Sequence, residues 1–318
     1  MATLHTFNRQ VRETATEMVD QEVQKFNEAS GGALVIGNAS VIGDYIEQAS
    51  WQVIGGLVQR RNAYGSGAVD PVELNQLLDR AIKIDGRIGP VKMTDTLYRR
   101  IGSGPEEVAS IVSAQAAEGM IRDYLNTTAS ALKTAIGTVA DLKHDVAAAT
   151  HVPMTLSVMN QGNAKMGDRS GQIAAYLMHS VVWHELIGEA LDNTERLYSI
   201  GDIGVFDSGL GRRYVVSDIP ALIESNKRHT LALVPGAAAV QVTGLTSFIT
   251  EEKTGDENIQ RMMQGEYEFV LGLKGFQWSK TTVKSPTDVQ ITTAANWVKV
   301  ATSHKDCAGV LITTGKTA

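Results

Sequence analysis

The residues best suited to chemistry are His179, His184, Glu185, Ser170, the single cysteine Cys307, and the glycine-flanked run from Gly309 to Thr317. A zinc-hydrolase helix needs a second histidine four residues after the first, and that position after His184 is Gly188. His179 precedes His184 by five residues, which turns the two rings about 140° apart on a helix of 3.6-residue period. Both read as structural histidines. In Gly309-Val-Leu-Ile-Thr-Thr-Gly315-Lys316-Thr317, five residues separate the glycines where a phosphate loop requires four, and no helix can follow. That run reads as a mobile tail. In Gly167-Asp168-Arg169-Ser170-Gly171 the serine sits one position away from a nucleophile elbow, with no histidine or acid assigned to it by spacing. Gly102-Ser103-Gly104 and Gly209-Leu210-Gly211 lack the third glycine of a dinucleotide fingerprint. One cysteine excludes an intramolecular disulfide and a zinc site of several thiolates. No catalytic, cofactor-binding or metal-binding residue is assigned.

The arginines carry more signal. Arg60-Arg61, Arg99-Arg100 and Arg212-Arg213 are adjacent pairs whose guanidinium forks suit carboxylates or phosphates. Against 29 basic side chains stand 35 acidic ones, for a formal charge of −6. This balance excludes a strongly basic nucleic-acid face and supplies carboxylate partners instead. Each pair therefore reads as a solvated face first, a contact between subunits next, and a local nucleic-acid contact last. A stripe of Val11, Met18 and Val19 either joins the chain's own core or docks on a neighbour. Trp183, Trp278 and Trp297 read as core or interface anchors.

Positioning these groups requires a sizeable scaffold, and 318 residues with 43% hydrophobic content can bury one large core or two ordinary ones. Residues 8–29 space Val11, Met18, Val19, Val23 and Phe26 as an amphipathic helix ending at Gly31-Gly32, followed by an extended piece at Ala33–Gly37. From Ser50 to Gly102 the pattern is a hairpin excursion: strand-like runs at Trp51–Val58, Ala81–Ile84 and Gly89–Met93, a turn at Tyr64–Gly67, and a short helix from Asp70-Pro71 through Leu78. Ser103-Gly104-Pro105-Glu106-Glu107 opens a long helix, with proline in the first turn and carboxylates at the positive end of the dipole. Val108, Ile111, Val112, Ile121, Tyr124, Leu125, Leu132 and Ile136 give it one apolar face until Gly137. A further helix is predicted over Asp168–Leu191. Strands are predicted at Arg213–Ser217, Thr230–Val234, Ala238–Val242, Tyr267–Leu271, Asp288–Thr292 and Trp297–Val300. Leu231–Ile249 is too interrupted to span a membrane, and the first ten residues lack the apolar run of a signal peptide. The fold class is α+β, helices early and strands late.

Four segments resemble the major capsid proteins of tailed double-stranded DNA bacteriophages, those with the HK97-type fold. They are Ile88-Gly-Pro-Val-Lys-Met93, Tyr176-Leu-Met-His-Ser180 with Leu186 on the same helix, Gly211-Arg-Arg-Tyr-Val-Val-Ser-Asp218-Ile-Pro220, and Leu231-Ala-Leu-Val-Pro-Gly236-Ala. With the order of the elements, the resemblance spans about residues 10–312. It implies an N-terminal arm (1–45) lying on a neighbouring subunit and an extended E-loop hairpin (46–100). A peripheral domain with a long spine helix would comprise 101–151 and 263–295, and a strand-rich axial domain 152–262 and 296–318. It implies a structural, non-enzymatic protein without cofactors that self-assembles as hexamers and pentamers into an icosahedral head shell. Partners would be many copies of itself, a portal, a cement protein, packaged DNA on the inner face, and a separate scaffolding protein, since the arm leaves no room for a fused one. No membrane is involved, and assembly belongs to the host cytoplasm. Candidate contacts between copies are Arg60, Arg61, Lys83, Lys92, Arg99, Arg100, Arg212, Arg213, Val11 and Met18. Some members of the family cross-link an E-loop lysine to an asparagine of another subunit. Here Lys83 and Lys92 are the only lysines in that region and neither lies at the Tyr64–Gly67 tip, so a noncovalent shell is expected. The alternatives are an encapsulin-type nanocompartment shell of the same fold, and a cytoplasmic α/β enzyme whose site draws on His179, Asp218 and His229.

Overall fold

The computed structural model describes residues 2–38, 43–51, 60–69, 71, 76–94, 105–147, 152–190, 195–200, 203–207, 212–224, 226–279 and 282–315. Helix α1 (Ala2–Ala29) is followed by strands β1 (Leu34–Asn38), β2 (Tyr45–Trp51) and β3 (Gln76–Thr94), then by the long helix α2 (Pro105–Gly137). Next come β4 (Lys143–Asp145), α3 (Leu156–Asn163), a 3-10 stretch at Ala164–Gln172, β5 (Ala175–Met178) and α4 (Ser180–Ala190). Strands β6 (Glu195–Ile200), β7 (Ile203–Asp207), β8 (Arg213–Val216), β9 (Lys227–Leu233), β10 (Ala238–Lys253), β11 (Gln260–Leu273) and β12 (Phe276–Trp278) follow. The chain then forms the short helix α5 (Asp288–Ile291) and strands β13 (Trp297–Lys299) and β14 (Gly309–Gly315).

Two sheets organise these strands. In the first, β1 runs parallel to β10, and β10, β11, β3 and β2 pair antiparallel in turn, with β12 and β13 continuing from one end of β11. Along β11 the residues alternate: Met263, Tyr267 and Phe269 face the core while Met262, Gln264 and Glu266 face out, as a half-buried strand requires. Gly86 of β3 lies opposite Tyr267, and a Cβ there would run into the tyrosine ring. The second sheet has the order β4-β14-β9-β5-β8-β7-β6.

The spine helix starts and stops where proline and glycine place it, spanning 33 residues, about 50 Å at 1.5 Å per residue. Its buried face meets both α1 and the first sheet. Tyr124 packs edge-on against Phe269, with ring centroids 4.9 Å apart, and Tyr267 donates to Asp123 Oδ2 at 2.7 Å. Small residues Ala109, Ser113 and Ala117 on that face let α1 approach closely. Ile111, assigned to the apolar face by spacing, is instead 49% exposed. The α1 stripe of Val11, Ala15, Val19, Val23 and Phe26 is buried within the chain. The helix ends as Gly31 and Gly32 turn left-handed (φ 65° and 70°). Asn27 Oδ1 then accepts from Ile36 N at 2.9 Å, steering the chain into β1.

Several sequence expectations differ from the structure. The helix predicted over Asp168–Leu191 is broken into a 3-10 stretch, strand β5 and helix α4, so Tyr176 and Leu186 are not on one helix. A short apolar run such as Ile173–Met178 fits a buried strand as well as a buried helix, and here β8 and β9 pair with it on either side. The run from Gly309 is no mobile tail through Gly315: it is β14, buried along its whole length between β4 and β9. Asp288–Thr292 forms helix α5, not a strand, because Thr287 N donates to Gln290 Oε1 at 3.0 Å in a capping arrangement that outweighs the alternating Val289 and Ile291. Of the short helix from Asp70 through Leu78, residues 72–75 lie outside the described ones and Gln76–Leu78 already belong to β3. The expected strand Trp51–Val58 is described only at Trp51. β10 and β13 belong to the first sheet, and the chain passes to it from the second between Leu233 and Ala238.

Candidate assembly surfaces

Residues 60–69 are exposed throughout, with Tyr64 at 100% and Val69 at 80%. The loop is shaped by Asn62, whose Oδ1 accepts from Tyr64 N at 3.0 Å and whose carbonyl accepts from Gly65 N at 3.3 Å. Arg60 and Arg61 have no ion-pair partner among the described residues. Two guanidinium groups beside a bare tyrosine are the residue types that anchor protein interfaces.

A second open surface lies at the far end of the first sheet. Lys92 of β3 pairs in register with Met262, which is 38% exposed, and Ile249 on the same face is 61% exposed. Spacing could not reveal this patch, since only the β10–β11–β3 register brings Ile249, Met262 and Lys92 together.

The other candidates are engaged within the chain or lie outside the described residues. Lys83 forms a half-buried ion pair with Glu268 of β11. Arg212 donates to the Tyr176 hydroxyl and sits 5.8 Å over that ring. Arg213 Nη1 donates to the carbonyls of Glu28 (3.2 Å) and Ala29 (2.7 Å), so its positive charge closes the C-terminus of α1. Val11, proposed as a contact between copies, is fully buried inside the chain, and Met18 is half-buried against the same core. Arg99 and Arg100 fall outside the described residues.

The residues considered for chemistry are dispersed. His179 Nδ1 lies 3.4 Å from Asp218 Oδ1 at the start of α4, and burial lowers its pKa. His229 Nδ1 instead meets Thr313 Oγ1 at 3.1 Å. No hydrogen bond joins the two pairs among the described residues. Glu185, beside His184, forms a buried ion pair with Arg228 of β9. Burial pushes the Cys307 thiol up to about 11, away from the reactive thiolate. Among the described residues no cluster of three or more His, Cys, Asp or Glu could hold a metal, and no helix is long and apolar enough to cross a membrane.

A spine helix laid on a sheet of long strands, a separate second sheet and an exposed loop between β2 and β3 define an HK97-like capsid fold. Solved structures share it, among them two from mycobacterial phages. One from Mycobacterium phage Bobi has a TM-score of 0.53 at 9% identity, covering 89% of this chain and 89% of that one. One from Mycobacterium phage Adephagia has a TM-score of 0.51 at 12% identity, covering 91% and 90%. The family model Gp13-like, described as major capsid protein 13-like, matches residues 3–311, and the chain belongs to that family. No curated protein sequence matches it. The protein is thus a structural, shell-forming component of a phage capsid, a reading that the family match favours over both the nanocompartment and the enzyme.

Proposed function

We propose that copies of this chain tile noncovalently, as hexamers and pentamers, into an icosahedral head shell around packaged double-stranded DNA. The loop at 60–69 reaches a sister copy, and the Ile249–Met262–Lys92 face forms a second contact. The first sheet with α2 serves as the peripheral domain, and the second sheet, including β14, as the axial domain. A separate scaffolding protein, a portal and a cement protein complete the assembly in the host cytoplasm. The observation that carries this reading is the fully exposed Tyr64 beside Arg60 and Arg61, a contact surface that nothing else in the described chain covers. Noncovalent closure is supported by Lys83, whose ammonium group is already paired with Glu268. The net charge of −6 fits an inner face with few phosphate contacts.

The test is sedimentation and negative-stain microscopy of the full chain, alone and with its scaffolding partner, beside the Arg60→Glu/Arg61→Glu variant. Wild type is expected to yield closed particles. The variant is expected to remain as small species with an unchanged unfolding midpoint, because substitutions at exposed sites alter stability by only about 0.5 kcal/mol. Wild type that stays small with scaffold supplied overturns the shell reading, and a variant that assembles normally removes the loop from it.

A further inference from the structure

Between α2, the loop leading into β9, and strands β4, β9 and β14 lies a cavity of about 480 Å³ that the proposed assembly contacts do not use. Lys133 of α2, Lys143 of β4, and Lys227 and His229 of β9 line it, together with the carboxylates Asp145 and Glu224. Two of the ammonium groups are neutralised in place. Lys133 donates to Glu224 Oε1 at 2.6 Å and to the Ala221 carbonyl at 2.9 Å, and Lys227 to Asp145 Oδ2 at 3.2 Å. Lys143 has no carboxylate partner among the described residues. His229 is only 5% exposed, with Nδ1 on Thr313, while its buried Nε2 makes a long ion-pair contact with Glu224 Oε1 at 3.3 Å, short of a well-formed hydrogen bond. A buried ring nitrogen held this loosely leaves room for a better-placed acceptor.

We propose that this cavity binds a phosphate-class oxyanion, held by the Lys143 ammonium group and by His229 Nε2–H, with Lys133 and Lys227 supplying the surrounding field. When Nε2 carries the proton, Nδ1 accepts from the Thr313 hydroxyl, so the observed contact fits the tautomer that the anion needs. Three lysines against two carboxylates leave one net positive charge, and protonation of His229 makes it two. That charge suits a small oxyanion, free in solution or as one phosphate of a nucleic-acid backbone. Charges face His229 from each side: Lys133 on α2, Lys227 on its own strand, Asp145 on β4 and Glu224 in the preceding loop, with the neutral Thr313 on β14. Burial is the largest influence and lowers the His229 pKa; Lys133 and Lys227 lower it further, and Glu224 opposes them. A bound oxyanion adds a second opposing charge, so binding takes up a proton and tightens as pH falls.

Isothermal titration of the full chain tests this with inorganic phosphate, and with sulfate for the pH series because sulfate does not itself titrate there, against chloride at matched ionic strength. One saturable site per chain is expected, tighter at pH 6 than at pH 8. Lys143→Met is expected to weaken it about tenfold by removing one charge-assisted bond, and His229→Gln to flatten the pH dependence. Competition by a short DNA duplex would identify a backbone phosphate as the ligand, and its absence would identify a free anion. No saturable binding above the chloride control overturns the proposal, as does binding unchanged in Lys143→Met. Lys143 is exposed, so that variant carries the test even if His229→Gln misfolds.

Discussion

The ion pair between Glu185 of α4 and Arg228 of β9 allows a quantitative test of how the second sheet is held. Their side chains are 15% and 8% exposed, so both charges have left water, and burial lowers the Arg228 pKa. Removing one partner of a buried pair leaves an uncompensated charge and costs about 3–5 kcal/mol. Replacing both with apolar residues of similar volume is often neutral, since no charge is stranded. Glu185→Met is therefore expected to destabilise the unassembled chain by about 3 kcal/mol or more, a fall of about 6 °C or more at the 2 °C per kcal/mol of a large chain. Arg228→Met removes the guanidinium from the buried Glu185 carboxylate and is expected to cost a similar amount. The double variant Glu185→Met/Arg228→Met is expected to cost less than either single one, giving a coupling energy well outside the few tenths found for independent sites. Urea unfolding of all four proteins measures the cycle. A Glu185→Met cost under about 1 kcal/mol, or a double variant equal to the sum of the singles, refutes the argument.

Three further outcomes are expected. Gly86→Ala sets a methyl group into the Tyr267 ring and should destabilise the chain by about 1–3 kcal/mol in urea, while Gly67→Ala, which meets open space, should not. With its pKa raised from 9.0 to about 11, Cys307 should react about a hundredfold more slowly with a thiol reagent at pH 8 than it does in the unfolded chain, followed by absorbance with and without urea. His179 and His229 both have lowered pKa values, chiefly from burial, so the unfolded chain binds protons that the folded chain does not. Their stabilising effect is complete above the ordinary imidazole value of about 6.5 and is lost as pH falls from there through the folded values. The unfolding midpoint should accordingly rise from pH 5 to pH 7, with a shallower rise in His229→Gln.

Local punctuation was the legible part of the sequence. Pro105 and Gly137 mark α2 because proline's missing N–H is harmless only in a first turn and helices stop at glycine; Gly31-Gly32 marks the end of α1 for the second reason. What sequence could not settle was whatever depends on partners distant in the chain. Ala175–Met178 becomes a strand only because β8 and β9 flank it, and β14 is buried only because β4 and β9 enclose it. The arginine pairs show the same limit. Arg60-Arg61 and Arg212-Arg213 are alike as letters, but Arg212 finds Tyr176 and Arg213 finds the end of α1, while Arg60 and Arg61 find no described partner.

That contrast bears on how a shell can close. Contacts between copies must be weak enough to be corrected during assembly, which requires each subunit to be folded before it meets the next. Arg213 on the carbonyls of Glu28 and Ala29 ties α1 to the second sheet, and Tyr124 against Phe269 ties α2 to the first. Each link lies inside a single chain, so the core does not wait for a neighbour to form. On the proposed reading, exposed groups such as Arg60, Arg61, Tyr64, Ile249, Met262 and Lys92 would carry association without carrying the fold. Exposed charges are screened beyond about 8–10 Å at physiological salt, so contacts built on Arg60 and Arg61 should loosen as salt rises while the buried links hold. Assembly and folding should therefore separate along a salt axis, with particles dissociating into subunits whose near-UV signal remains native.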